Sequence, residues 1–351
     1  MSSKNNAKAI CLAILCTFLL QPLSCVPSVA GTGSSTPQAA SGKPNLGVKL
    51  GLSDRGHLKI TEVVPGSPAD VASLNPNDEI IEVDGIAVKS PAEVENIVAK
   101  HNYGDYLKLK FMREYFDFED AMTVRLSPFI PLTAQQKADL DAAQKEASDL
   151  FYTEHKYDEA IRAYGRVIRI RPSIDAYLVQ GKAYTKIKDF KSAINDFNEA
   201  LALGSSDSAY MNRGYAYAES GDYQKALQDF DAALTFDPKN HRMYLCKGIV
   251  YLDMKQHKKA LESFNRAIEM NPRLGKAYIW RANYYVATGR PKEALADFSK
   301  CLELGIGAGR ERGELYFYRA KAYDMLGHKD LAAKDRAEAE KIGVPGRFDV
   351  F

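Results

Sequence analysis

The chain changes its hydrophobic rhythm near residue 130. Before that point apolar and polar residues alternate in short runs. Residues 45–50 (NLGVKL), 58–64 (LKITEVV), 79–88 (EIIEVDGIAV), 106–112 (YLKLKFM) and 122–126 (MTVRL) read as strands. Turn residues separate them at 53–56 (SDRG) and 75–78 (NPND), and Asp84-Gly85 breaks the third run. Two short helices are marked by their starts. Ser67-Pro68-Ala69-Asp70 offers a capping serine, a proline suited to the first helical position and an acid in the first turn. Ser90-Pro91-Ala92-Glu93 forms a capping box, and its helix places Val94, Ile97 and Val98 on one face.

After residue 133 the period becomes helical, beginning with a second capping box at Thr133 and Gln136. Aligned on itself, this half repeats every 34 residues or so. One column reads Ala160, Ala193, Ala226, Ala260, Ala294 and Ala332, with steps of 33, 33, 34, 34 and 38. The last step is stretched by Gly305-Ile306-Gly307-Ala308-Gly309. Four residues after each Ala come Tyr164, Phe197, Phe230, Phe264, Phe298 and finally Arg336. Nine before it stand Phe151, Tyr184, Tyr217, Tyr251, Tyr285 and Tyr323, with Gly181, Gly214 and Gly248 three residues earlier in three copies. Small residues at such positions let two helices approach, and aromatics fill the gaps between pairs. No copy could bury its apolar face alone, so the copies must stack.

A charge pattern rides on the repeat. Arg213, Lys247, Arg281 and Arg319 precede the small residue, and Asp196, Asp229, Asp297 and Asp335 lie three residues after the column Ala. This spacing predicts Arg213–Asp229, Arg281–Asp297 and Arg319–Asp335 pairs between the two helices of a copy.

The motifs resemble two known families. PGSPADVASLNPNDEIIEVDG is similar to the signature stretch of bacterial PDZ domains, with Ser73 and Asn77 where that family carries glycines. The six copies resemble tetratricopeptide (TPR) repeats. The fold expected is multidomain: a small α+β PDZ-like partly open barrel over 45–127, a linker over 128–133, an all-α TPR superhelical solenoid of six repeats over 134–346, and a tail over 347–351.

The PDZ resemblance implies a binding site. Leu46-Gly47-Val48 matches the loop whose backbone N–H groups receive a ligand's C-terminal carboxylate. The peptide would add as a strand beside residues 46–50, with Leu50, Val94, Ile97 and Val98 as its side-chain pocket. In TPR proteins the concave face, lined by the first helix of each repeat, binds partners. Equivalent positions here are Leu178, Met211, Leu245, Ile279 and Phe317, with Tyr215, Ile249 and Asn283 one turn on. The row is apolar and does not carry the basic clamp of chaperone-binding members, so a helix or extended peptide is the expected ligand.

The remaining sequence bears on location and excluded chemistry. Lys4 and Lys8 precede an apolar run from Ala9 to Leu20, the pattern of an export signal over 1–30. Two endings compete: small residues at Ser28-Val29-Ala30, or a lipoprotein-like signal ending before an acylated Cys25, with Pro22 where that family carries Leu. Residues 31–44 read as a flexible tether. The expected location is therefore outside the cytoplasm: periplasmic, lipid-anchored to the envelope, or secreted, with no transmembrane span in the mature chain. A formal net charge of +2 gives no concentrated basic face for nucleic acid. The six His are scattered singly, no Cys-x-x-Cys occurs, and no phosphate-binding, zinc-protease or serine-nucleophile pattern stands in the 351 residues. The expectation is a non-catalytic scaffold without metal or cofactor whose partners are proteins or peptides. The alternative is an accessory subunit presenting substrates to an envelope protease. The tail, Phe348-Asp349-Val350-Phe351, is of a kind PDZ grooves accept.

Overall fold

The computed structural model describes residues 44–113, 119–127, 132–305 and 309–344. The export signal, Cys25, the tether, most of the linker and the tail lie outside the described residues. The chain divides at Pro238 into two compact units.

The first unit opens with a sheet. Strands β1 (Val48–Leu52), β2 (Leu58–Val63), β3 (Glu79–Val83), β5 (Tyr106–Met112) and β6 (Glu119–Arg125) pair in that order, and β4 (Ile86–Ala87) pairs with β3. Every pairing is antiparallel. Helices α1 (Pro68–Val71) and α2 (Pro91–Val98) start where their capping residues predict. Ser67 caps α1 through the Asp70 amide, and the Ser90–Glu93 box is complete. Leu58, Ile60, Ile80, Val83, Leu107, Leu109, Phe111 and Val124 fill the core. Ser73 and Asn77, the two residues replacing family glycines, both hold left-handed φ, +60° and +78°. The fold keeps the backbone that glycine would adopt there at lower cost.

Helix pairs follow. In the first unit they are α3 (Ala134–Ser148) with α4 (Tyr157–Ile170), α5 (Ile174–Lys186) with α6 (Phe190–Leu203), and α7 (Asp207–Ser220) with α8 (Tyr223–Leu234). In the second unit they are α9 (His241–Asp253) with α10 (His257–Met270), α11 (Gly275–Ala287) with α12 (Pro291–Glu303), and α13 (Arg310–Met325) with α14 (Lys329–Lys341). The first helix runs on through a wide π turn, Asp149–Thr153, which the repeat pattern did not anticipate.

The repeat columns have a direct steric reason. A Cβ on Gly181, Gly214 or Gly248 would lie 2.6, 2.8 or 2.4 Å from the ring of Phe197, Phe230 or Phe264. Each of these rings is buried, and it packs where the facing glycine has no side chain. The column alanines, Ala160 to Ala332, are all fully buried. These stacked helix pairs are of the kind seen in TPR solenoids. No helix among the described residues is long and apolar enough to cross a membrane.

Candidate peptide-binding surfaces

The first surface is the turn that leads into β1. Gly47 has φ +76°, and a Cβ there would lie 2.0 Å from Ser67 Cβ, so no other residue fits without displacement. The Leu46 carbonyl accepts from the Ala69 amide at 3.0 Å. The Gly47 carbonyl accepts from the Val64 amide at 2.8 Å and from Ser67 Oγ at 3.3 Å. The Leu46 carbonyl thus faces α1, and the Gly47 carbonyl faces the Val64–Ser67 segment that leads into it. The chain has no cis peptide among its described residues, and in a trans peptide the following N–H points opposite to the carbonyl. The amides of Gly47 and Val48 therefore point away from the Val64–Ala69 segment, as a loop that receives a carboxylate requires.

β1 pairs only with β2 among the described strands, so its far edge can accept an added strand. Leu50 and Val48 are half-buried against the core. Val94, Ile97 and Val98 are buried in that same core, at 2%, 7% and 2% exposure. These three pack inward, and Leu50 is the pocket candidate that lies on β1 itself.

The second surface is the row on the first helix of each pair. Leu178, Tyr215, Leu245 and Ile249 are buried, whereas Met211, Ile279, Asn283 and Phe317 are half-buried. Tyr215 also hydrogen-bonds Glu219 at 2.5 Å. Half of the row is consumed by helix packing. The residues a ligand could reach are Met211 in the first unit and Ile279, Asn283 and Phe317 in the second.

The three predicted ion pairs tie together the two helices of the third, fifth and sixth pairs. Arg213 donates Nε and Nη2 to Asp229 at 2.8 and 2.7 Å. Arg281 does the same to Asp297 at 2.8 and 2.7 Å, and Arg319 to Asp335 at 2.7 Å through both nitrogens. The Nη1 groups of Arg213 and Arg281 reach back to Asn198 and Asn265 on the preceding helix, at 2.7 and 2.6 Å.

One contact had no signal in the sequence. Arg171, at the end of α4, forms a two-pronged ion pair with Asp70 of α1, with Nη2 donating to Oδ1 at 2.7 Å. Asp70 also accepts from the Gly66 amide. Burial lowers the Arg171 pKa to about 9, which leaves it charged at neutral pH. Nearby, the outer edge of β6 is covered. The Thr123 amide donates to the Ser205 carbonyl at 2.6 Å, and the Ser205 amide to Thr123 Oγ1 at 2.8 Å. Gly204 permits this approach, since a Cβ there would be 2.2 Å from the Thr123 carbonyl oxygen. Ile174, Phe197 and Ala200 belong to the same apolar cluster as the sheet core. The sheet module is thus docked on the second helix pair through one of its edges, leaving β1 as the other.

Two of the singly scattered histidines, His57 and His101, each meet a carboxylate: Glu79 at 2.8 Å and Asp84 at 2.7 Å. The described residues bring together no group of three side chains suited to a metal ion.

Comparison with known proteins agrees with this architecture. Residues 44–124 match the PDZ domain family. Residues 145–208, 208–240, 241–274 and 275–304 match tetratricopeptide repeat families. A 90-residue stretch is 33% identical to the magnetosome formation protease MamE of Paramagnetospirillum magneticum, covering 25% of this chain and 12% of that protein. The chain therefore spans about an eighth of the length of that relative. Among solved structures, a crystal structure of MamA is 27% identical over 50% of this chain and 96% of its own, with a TM-score of 0.40. The pilF protein of Pseudomonas aeruginosa is 18% identical over 58% and 92%, with a TM-score of 0.49. This chain carries a PDZ domain over residues 44–124 followed by tetratricopeptide repeats over 145–304.

Proposed function

We propose that the protein is a non-catalytic scaffold of the cell envelope. Its PDZ domain captures a C-terminal or extended peptide at Leu46-Gly47-Val48 and along β1, and its repeats hold a second partner. The reading rests above all on the paired outward amides of Gly47 and Val48 beside the open edge of β1. Holding two clients on one chain raises the local concentration of one near the other. The apolar run at Ala9–Leu20 behind Lys4 and Lys8, with the small residues before Gly31, supports a location outside the cytoplasm, free or anchored at Cys25.

A panel of C-terminal peptides, each made with a free carboxylate and as its amide, tests the PDZ site. Peptides that bind should lose about ten-fold or more in affinity on amidation, because the amides of Gly47 and Val48 lose their anionic partner. Equal binding of both forms would remove the carboxylate role. Leu50→Lys should weaken the same peptides while leaving the circular dichroism spectrum unchanged.

A second reading makes the chain an accessory subunit that presents substrates to an envelope protease. It is favoured by the 33% identity with MamE, a protein described as a protease. It predicts that adding this chain changes the cleavage rate of a co-exported protease, whereas the scaffold reading alone predicts binding without such a change.

A further inference from the structure

The Arg–Asp pairs obey a rule that the second helix pair breaks. In the third and sixth pairs the guanidinium lies between tyrosines three residues before it and four after it, and the fifth carries tyrosines at the same two positions, Tyr278 and Tyr285. These spacings put all three side chains on one helix face. Arg213 lies 5.6 Å from the Tyr210 ring and 6.0 Å from that of Tyr217. Arg319 lies 5.6 and 5.8 Å from Tyr316 and Tyr323, and Arg281 lies 5.5 Å from Tyr278. An aspartate on the second helix closes each arrangement. The fourth pair has Ser263 in place of the aspartate and Lys247 in place of the arginine, so acid and guanidinium are replaced together there.

The second pair keeps the acid and both tyrosines but not the cation. Tyr177, Tyr184 and Asp196 occupy the equivalent positions, and Gln180 stands where Arg would be. Gln180 Nε2 donates to the Ile161 carbonyl on the preceding helix at 2.8 Å. Asp196 is only 7% exposed, and its Oδ2 has no hydrogen-bond partner among the described residues. A buried carboxylate oxygen without a partner is costly, and the sibling aspartates avoid that cost through their arginines. Burial first, then Glu199 and Asp189, push the Asp196 pKa to about 7.

We propose that the second helix pair binds a guanidinium supplied by a partner, an arginine side chain of a protein or peptide, between Tyr177 and Tyr184 and against Asp196. The sibling pairs show the geometry such a group takes. Their arginine side chains remain 18–21% exposed, so this arrangement faces solvent on one side. Tyr177 and Tyr184 are likewise half-buried, and Gln180 holds the position that the incoming guanidinium would take. Arginine fits better than lysine, because a planar fork satisfies both carboxylate oxygens while its faces meet the rings. The proposal rests on the reading of the repeats as a partner-holding surface. Its failure would leave peptide capture at β1 untouched.

The test uses the full chain at pH 8, where Asp196 is ionised, with N-acetyl-arginine methylamide as probe and the lysine analogue beside it. The arginine probe should raise the melting temperature saturably, with the lysine analogue about ten-fold weaker. Asp196→Asn should abolish the response. Gln180→Arg should rebuild the pair within the chain, raising the melting temperature of the free protein and removing the probe response. An equal response to lysine, a response that survives Asp196→Asn, or a lower melting temperature for Gln180→Arg would each overturn the proposal.

Discussion

Replacing Arg171 with Met removes the guanidinium that ties the PDZ domain to the repeats while keeping much of the side chain's apolar bulk. The Arg171 side chain is 3% exposed and that of Asp70 13%. Removing one member of a buried ion pair typically costs about 3–5 kcal/mol, because the other charge stays desolvated. Asp70 keeps the Gly66 amide, which favours the lower end, about 3 kcal/mol. Asp70→Asn leaves a buried Arg171 that cannot shed its proton at neutral pH, so it should cost at least as much. The double variant removes both charges and should fall well short of the sum. A coupling of about 2 kcal/mol or more is expected between groups this close.

The natural readout is local. The Thr123 amide is bonded to Ser205 across the same interface, so native-state hydrogen exchange at Thr123 follows its opening. A loss of about 3 kcal/mol there corresponds to exchange faster by about a hundred-fold. Trp280 lies in the other unit, and its fluorescence transition should hardly move. Single effects that add to within about 0.5 kcal/mol would show that Arg171 and Asp70 do not act as a pair. So would unchanged exchange at Thr123 in Arg171→Met.

Other consequences are as direct. Gly248→Ala drives a methyl into the Phe264 ring and should cost about 1–3 kcal/mol, read as an earlier urea midpoint of Trp280 fluorescence, since Phe264 and Trp280 share one cluster. Asp196, pushed to about 7 in the folded chain from an ordinary 3.8, binds its proton more tightly folded than unfolded, so its contribution should be lost as pH rises from about 4 through 7. That loss, about 2 kcal/mol after allowing for solvent screening, should vanish from the pH profile of stability in Asp196→Asn, whose neighbours Glu199, Asp189, Tyr177 and Tyr184 are unchanged. Cys246 and Cys301 are buried with thiols pushed up to about 12, so a disulfide-exchange reagent at pH 8 should label neither until the chain is unfolded.

What the sequence disclosed was whatever repeats or sits close in the chain. The capping boxes at Ser90 and Thr133, the glycine and phenylalanine columns and the Arg–Asp pairs all lie within 16 residues of their partners. Arg171 and Asp70 are 101 residues apart, and Thr123 and Ser205 are 82 apart; neither pair has a sibling elsewhere in the chain to reveal it. The burial of Leu178 and Leu245 escaped for another reason, since periodicity assigns a helix face but does not say how tightly that face is packed. These misses share a location. Arg171, Gly204 and Ser205, which hold the PDZ domain, fall between residues 171 and 205, and so do Gln180 and Asp196, which break the ion-pair rule. The other Asp-bearing pairs make their own clamps. The second pair instead accepts a foreign domain along its ends and keeps an acid without an arginine. A repeat that must dock something besides its neighbours is where departure from the repeat rule carries information, and here the departures converge on α5, α6 and the turns that flank them.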